Sequence, residues 1–185
     1  MFSFLTRSKI TCKGLAETMA TKFVSMWMEE YDEELLASGH NSWIERARMS
    51  KSDSKAKEEW LLFCVAGYIQ GCRSSMGDSD LHFTFAREFF EACGREVEVQ
   101  RIFPTTASEF VASAALRSTE YCSLLSESDP GRSIRLVAAK FLENVGCSPI
   151  NAVQWVGIAH DFTSTVITTK ELFDKLKRTI RLVPT

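Results

Sequence analysis

Few side-chain types carry chemistry at neutral pH, and the scarcest of them here are three histidines, His40, His82 and His160. His82 closes the run Asp78-Ser79-Asp80-Leu81-His82, in which three possible metal ligands alternate. The run lacks the third acid, the central glycine and the terminal glutamate of a calcium-binding loop. Carboxylates are also favoured at the positive end of a helix, so capping of a helix that starts here competes with metal binding at Asp78, Asp80 and His82. His160 precedes Asp161, but adjacent helical residues point about 100° apart and form no dyad by themselves. His160 is therefore a candidate ligand-binding residue only, and His40 falls in a Gly-His-Asn turn where a solvated side chain is expected.

The six cysteines, Cys12, Cys64, Cys72, Cys93, Cys122 and Cys147, contain no Cys-x-x-Cys pair. Most fall on apolar helix faces, where burial raises a thiol's pKa and makes it inert, so reduced buried thiols are expected in preference to disulfides or zinc ligands. There is no nucleophile elbow, phosphate-binding glycine loop, His-Glu-x-x-His pair or dinucleotide fingerprint. No cofactor and no metal are expected. An enzyme would have to gather a dispersed acid–base site from His82, His160, Asp78, Asp80 or Asp161.

The elements that would position these residues read as helices. Leu15, Met19, Phe23, Trp27, Tyr31 and Leu35 recur four apart and predict a long helix over 15–37, stopped at Ser38-Gly39. A Ser42/Glu45 capping box opens a short second helix. The third, over 53–75, carries the longest apolar run, Trp60 to Ile69, which is far short of the roughly 20 residues of a membrane span. Gly67 and Gly71 on this helix predict a close approach by a neighbouring helix. Asp78-Ser-Asp80 starts a further helix whose stop is expected at Gly94. Residues 95–103 suit a strand or a helix, with 163–169 the only β-branched partner in view. Thr106/Glu109, Asp129-Pro130, Ser148-Pro149 and Thr168/Glu171 each mark another helix start, and Gly146 a stop.

The expected fold is all-α, a single irregular multi-helix bundle of seven to eight amphipathic helices with room for a short β-ribbon. Residues 1–10 form a poorly ordered N-terminal segment and 11–185 one helical domain. The 185-residue chain is 45% hydrophobic and 25% charged, long enough to bury a core without staples. It balances 22 basic against 24 acidic residues, net charge −2, which lacks the positive field of a general nucleic-acid binder. Met1–Arg7 does not have the basic-then-apolar order of a secretory leader, so a cytoplasmic, soluble protein with neither nucleic-acid nor membrane partner is expected.

One electrostatic feature opposes local stability. Glu29, Glu30, Asp32, Glu33 and Glu34 crowd the end of the first helix, where like charges three or four apart repel and the macrodipole favours cations. Lys170, Lys175, Lys177, Arg178 and Arg181 form the opposite concentration on the last helix. These residues are the expected interaction surface, facing each other within one molecule, across a homodimer, or toward another protein. A non-catalytic protein-interaction module is the function the pattern favours. The alternatives are a helical domain holding a small apolar ligand among its aromatic residues, or an enzyme with a dispersed acid–base site.

Overall fold

The apolar stripes are buried where helical spacing puts them. Leu15, Ala16, Ala20, Val24 and Trp27 face inward on the first helix, and all of Trp60 to Ile69 except Cys64 is buried. The computed structural model describes residues 8–30, 54–125, 130–147 and 152–184. These residues form α1 (Cys12–Glu30), α2 (Ser54–Met76), α3 (Asp80–Val99), α4 (Ala107–Leu124), α5 (Pro130–Asn144) and α6 (Ala152–Thr179). Strand β1 (Ser8–Thr11) runs directly into α1, and β2 (Ile180–Val183) directly follows α6. The short helix predicted after Ser42, and the predicted end of the first helix beyond Glu30, lie outside the described residues.

α2 is apolar around most of its circumference because helices cover it on several sides, chiefly α6 and α4. α1 packs on α3, α3 also on α4, and α5 rests against α6 and α4. The predicted close approach occurs between α2 and α6: a Cβ at Gly71 would lie 2.5 Å from the Val166 carbonyl oxygen and 2.6 Å from Thr169 Cβ. Two aromatic clusters fill the interior. Phe63 lies 4.8 Å from Phe141, 4.9 Å from Phe162 and 5.2 Å from Tyr121 between ring centroids. Tyr68 stacks on Phe89 at 4.7 Å, with Phe23, Phe85 and Phe173 around them. No helix among the described residues is long and apolar enough to cross a membrane.

Local signals set most of the boundaries. Ser79 caps α3 by accepting from the His82 backbone N–H, and both halves of the Thr106/Glu109 capping box are formed on α4. α5 begins at Pro130 and closes at Gly146, φ +74°, with N–H bonds from Gly146 to Glu143 and from Cys147 to Leu142. α3 closes in the same way, but with Arg101 at φ 51° in the glycine position: Arg101 N–H donates to Glu98 and Ile102 N–H to Val97.

Several expectations need correction. The stop at Gly94 is absent; α3 continues to Val99, so residues 95–99 are helical, 100–101 form a turn and 102–103 are irregular. Gly94 instead admits the start of α4, since a Cβ there would lie 2.8 Å from the Ala107 carbonyl oxygen. The break at Thr168 is absent as well, and residues 163–169 are helix, not strand. Packing against α2 holds this β-branched run helical, and the hydroxyls of Thr163 and Thr165 donate back to the Ala159 and Asp161 carbonyls. With this merger, and with the helix predicted after Ser42 outside the described residues, six helices are described where seven or eight were expected over the whole chain. A short β-ribbon does exist, but it is built from β1 and β2. Residues 8–10, assigned to the N-terminal segment, supply most of β1.

Candidate interaction surface and buried polar centre

The most concentrated polar chemistry lies inside, where α2, α4 and α5 meet. Glu59 is buried on the apolar stripe of α2. Its Oε1 accepts from the Tyr121 hydroxyl and, at 3.1 Å, from Asn144 Nδ2, while Oε2 accepts from Arg117 Nε at 2.8 Å. Asn144 Nδ2 also donates to the Tyr121 oxygen at 3.0 Å, and Arg117 Nη1 to Glu120 at 2.8 Å. Burial first, and then the Glu59 charge, push the Tyr121 phenol above its ordinary range. A carboxylate with both oxygens engaged, and a tyrosine held protonated, form a closed network that pins three helices together. No motif in the sequence singles these residues out. The available signal is an acid in helical register with Ala56, Phe63 and Ala66, that is, a charge on a core stripe.

The histidine and acid candidates are placed separately. Asp78 is held by Arg73 through a two-pronged contact, 2.6 Å from Nε and 3.0 Å from Nη2, which keeps its carboxyl below the usual range. Asp80 is exposed in the first turn of α3. His82 is only 4% exposed, and its Nδ1 is buried without a hydrogen-bond partner. Burial, reinforced by the Arg73 charge and partly opposed by Asp78, lowers its pKa from 6.5. No group of three His, Cys, Asp or Glu among the described residues is arranged to hold a metal. His160 stands exposed on α6, with Nδ1 3.5 Å from Asp161 Oδ1, too long for a strong hydrogen bond. His40 lies outside the described residues.

All six cysteines are free thiols. Burial pushes Cys72 and Cys93 above the ordinary thiol range, and Cys122 up to about 11. An open groove of about 240 Å³ between α1 and α3 is lined by Glu17, Thr21, Ala92, Arg95 and Glu96. Its charged groups are already paired, Arg95 with Glu17 and Thr21 with Glu96.

Of the predicted charged surface, Glu29 and Glu30 end α1, while Asp32, Glu33 and Glu34 lie outside the described residues. The basic concentration divides in two. Lys170 and Lys177 flank Asp174 at 2.7 and 3.3 Å, and Asp174 also accepts from the Ser75 hydroxyl at 2.6 Å, tying α6 to the end of α2. The bonds from Lys170 and Ser75 hold the Asp174 carboxyl well below its usual range. Lys175, Arg178 and Arg181 are exposed and make no ion pair among the described residues. The parallel register of the ribbon sets Lys9 directly beside Arg181. Partners in register share a face, and here that face points outward, because Ile10, Ile180 and Leu182 pack against the core. Lys9 carries no such signal in the sequence, since only the pairing of chain positions this far apart reveals it.

Compared with known families, curated proteins and solved structures, the chain has no significant match.

Proposed function

We propose that the chain is a non-catalytic helical module of the cytoplasm that works by binding a protein, through a basic surface formed by Lys9, Lys175, Arg178 and Arg181. The observation that carries this reading is the Lys9–Arg181 pair: two like charges in register on one face of a two-stranded ribbon, neither of them in an ion pair among the described residues. Side-by-side like charges cost a few tenths of a kcal/mol to about 1 kcal/mol, and an acidic partner converts that cost into attraction. The acid run Glu29–Glu34 makes a second copy one source of such a partner. The closed Glu59 network and the mutual packing of the aromatic rings favour this reading over an acid–base enzyme or an apolar ligand pocket.

The test compares the wild type with the double variant Lys9→Gln/Arg181→Gln at low and high salt. The variant should be the more stable at low salt and should bind an acidic peptide about tenfold more weakly, with both differences shrinking as salt screens them. Unchanged stability together with unchanged binding would remove the basis of the proposal. Sedimentation at the same two salt concentrations separates self-association from binding to another protein.

A further inference from the structure

Ahead of the basic residues, α6 carries two exposed aliphatic side chains. Val156 is 69% exposed and Ile167 52%, although both are aliphatic and sit on a helix whose opposite side is core. Val156, Ile167 and Arg178 are spaced by three helical turns, so they fall on one line, and exposed His160 and Glu171 each lie one turn further along it. The inward side of the same helix is defined by buried Ile158, Phe162, Thr169 and Phe173. α6 is therefore apolar at two separated points of its outer line and cationic at its end, where Lys175 and Arg178 lie about one turn apart and β2 follows with Arg181 paired beside Lys9. From Val156 to Arg178 the line measures about 33 Å.

Building on the proposed binding role, we infer that α6 docks an acidic amphipathic helix of another protein, laid along the line from Val156 to Arg178. The spacing of the two aliphatic residues matches the repeat by which a straight helix returns to the same side, so a second helix running alongside can seat apolar residues on both. The cations at the far end, in no ion pair among the described residues, supply the polarity of the match: the partner's carboxylates belong over Arg178, Lys175 and the Lys9–Arg181 pair. Glu171 lies between the aliphatic and cationic portions and sets a point where the partner carries no acid.

The experiment uses the full chain and two designed peptides of about 22 residues, a length that spans the line when helical. Both contain the same leucines, alanines and glutamates. One has an apolar face with its acids concentrated at one end, and the other has the same composition without a face. Titration at low salt should show the patterned peptide binding about tenfold more tightly than the scrambled one. Ile167→Glu and Arg178→Glu, both exposed and checked for native helix content, should each weaken it by about tenfold, the loss expected for one interfacial anchor. Equal binding of the two peptides, undiminished by Ile167→Glu but lost on raising salt, would overturn the α6 site and leave the basic surface standing. Failure of both peptides to bind would overturn both. A dimer of the chain that dissociates in Ile167→Glu would make a second copy the occupant instead. Ile167-dependent flotation with phosphatidylserine-containing vesicles, stronger than the peptide complex, would make it a lipid surface.

Discussion

Glu59 on α2 and Tyr121 on α4, 62 residues apart in the chain, share a hydrogen bond in the interior, the phenol donating to the carboxylate. Around that bond Arg117 and Asn144 complete the shell, so the acid is buried with its donors and not merely tolerated. The energetic consequence is asymmetric. Each group is stable only while the others remain, because a buried carboxylate that loses donors keeps its full desolvation cost.

Tyr121→Phe removes one donor and nothing of the ring. Unfolding in urea should show a loss of about 1–3 kcal/mol. Arg117→Ala, which strips from Glu59 its one cation among the described residues, should cost more, about 3 kcal/mol. Values for both below about 0.5 kcal/mol, the range of ordinary surface substitutions, would mean that water replaces the network without penalty.

The α2–α6 contact makes a contrasting pair of glycine substitutions. Gly71→Ala drives a methyl into the Val166 carbonyl and Thr169, neither of which can move without shifting the α6 backbone. It should destabilise by about 1–3 kcal/mol, roughly 2–10 °C in Tm for a chain of this length. A Cβ at Gly67 comes only to 3.2 Å from the Thr165 methyl, which can yield slightly. Alanine's better helix propensity, worth up to about 1 kcal/mol, then offsets the strain, so Gly67→Ala should be near neutral by calorimetry.

Arg101 occupies a left-handed position that glycine would take without strain. An L-residue there costs about 1–2 kcal/mol, and glycine returns part of the difference through its looser unfolded chain. Arg101→Gly should raise stability by about 0.5–1 kcal/mol in the same urea measurement. A decrease would show that the exposed Arg101 side chain contributes a compensating interaction.

His82 gives stability a defined pH dependence. Its pKa is lowered in the folded protein by burial and by Arg73, relative to 6.5. The unfolded chain therefore takes up this proton first as pH falls. The contribution is fully present above pH 6.5 and is lost progressively as pH drops through the lower folded pKa. His82→Leu should flatten the dependence of the urea midpoint between neutral and mildly acidic pH, a range above the titration of Asp78. An identical slope in wild type and variant would assign the effect elsewhere.

Local order explains why some features are legible in the sequence. The Ser79 cap lies beside the helix it starts, the Thr106/Glu109 box spans a single turn, and Gly146 needs only its own neighbours to adopt positive φ. Apolar periodicity likewise marks the buried side of α1, because a helix must turn one stripe inward whatever it meets. Gly94 and Thr168 mislead for the converse reason. A glycine stops a helix only when no packing holds the helix together, and α4 packs closely on Gly94.

Sequence alone suffices to read that the chain is mostly helical and that Gly67 and Gly71 mark a crossing. These follow from spacings of a few residues. Which charges stay out of ion pairs among the described residues follows instead from how distant elements pack. Asp174 and Ser75 absorb Lys170 and Lys177, while the β1–β2 register puts Lys9 beside Arg181 and leaves both outward. Likewise, Glu59, Tyr121, Arg117 and Asn144 become one site because three helices converge. Periodicity within a helix orients a side chain, but it carries no information about which distant helix that side chain will meet.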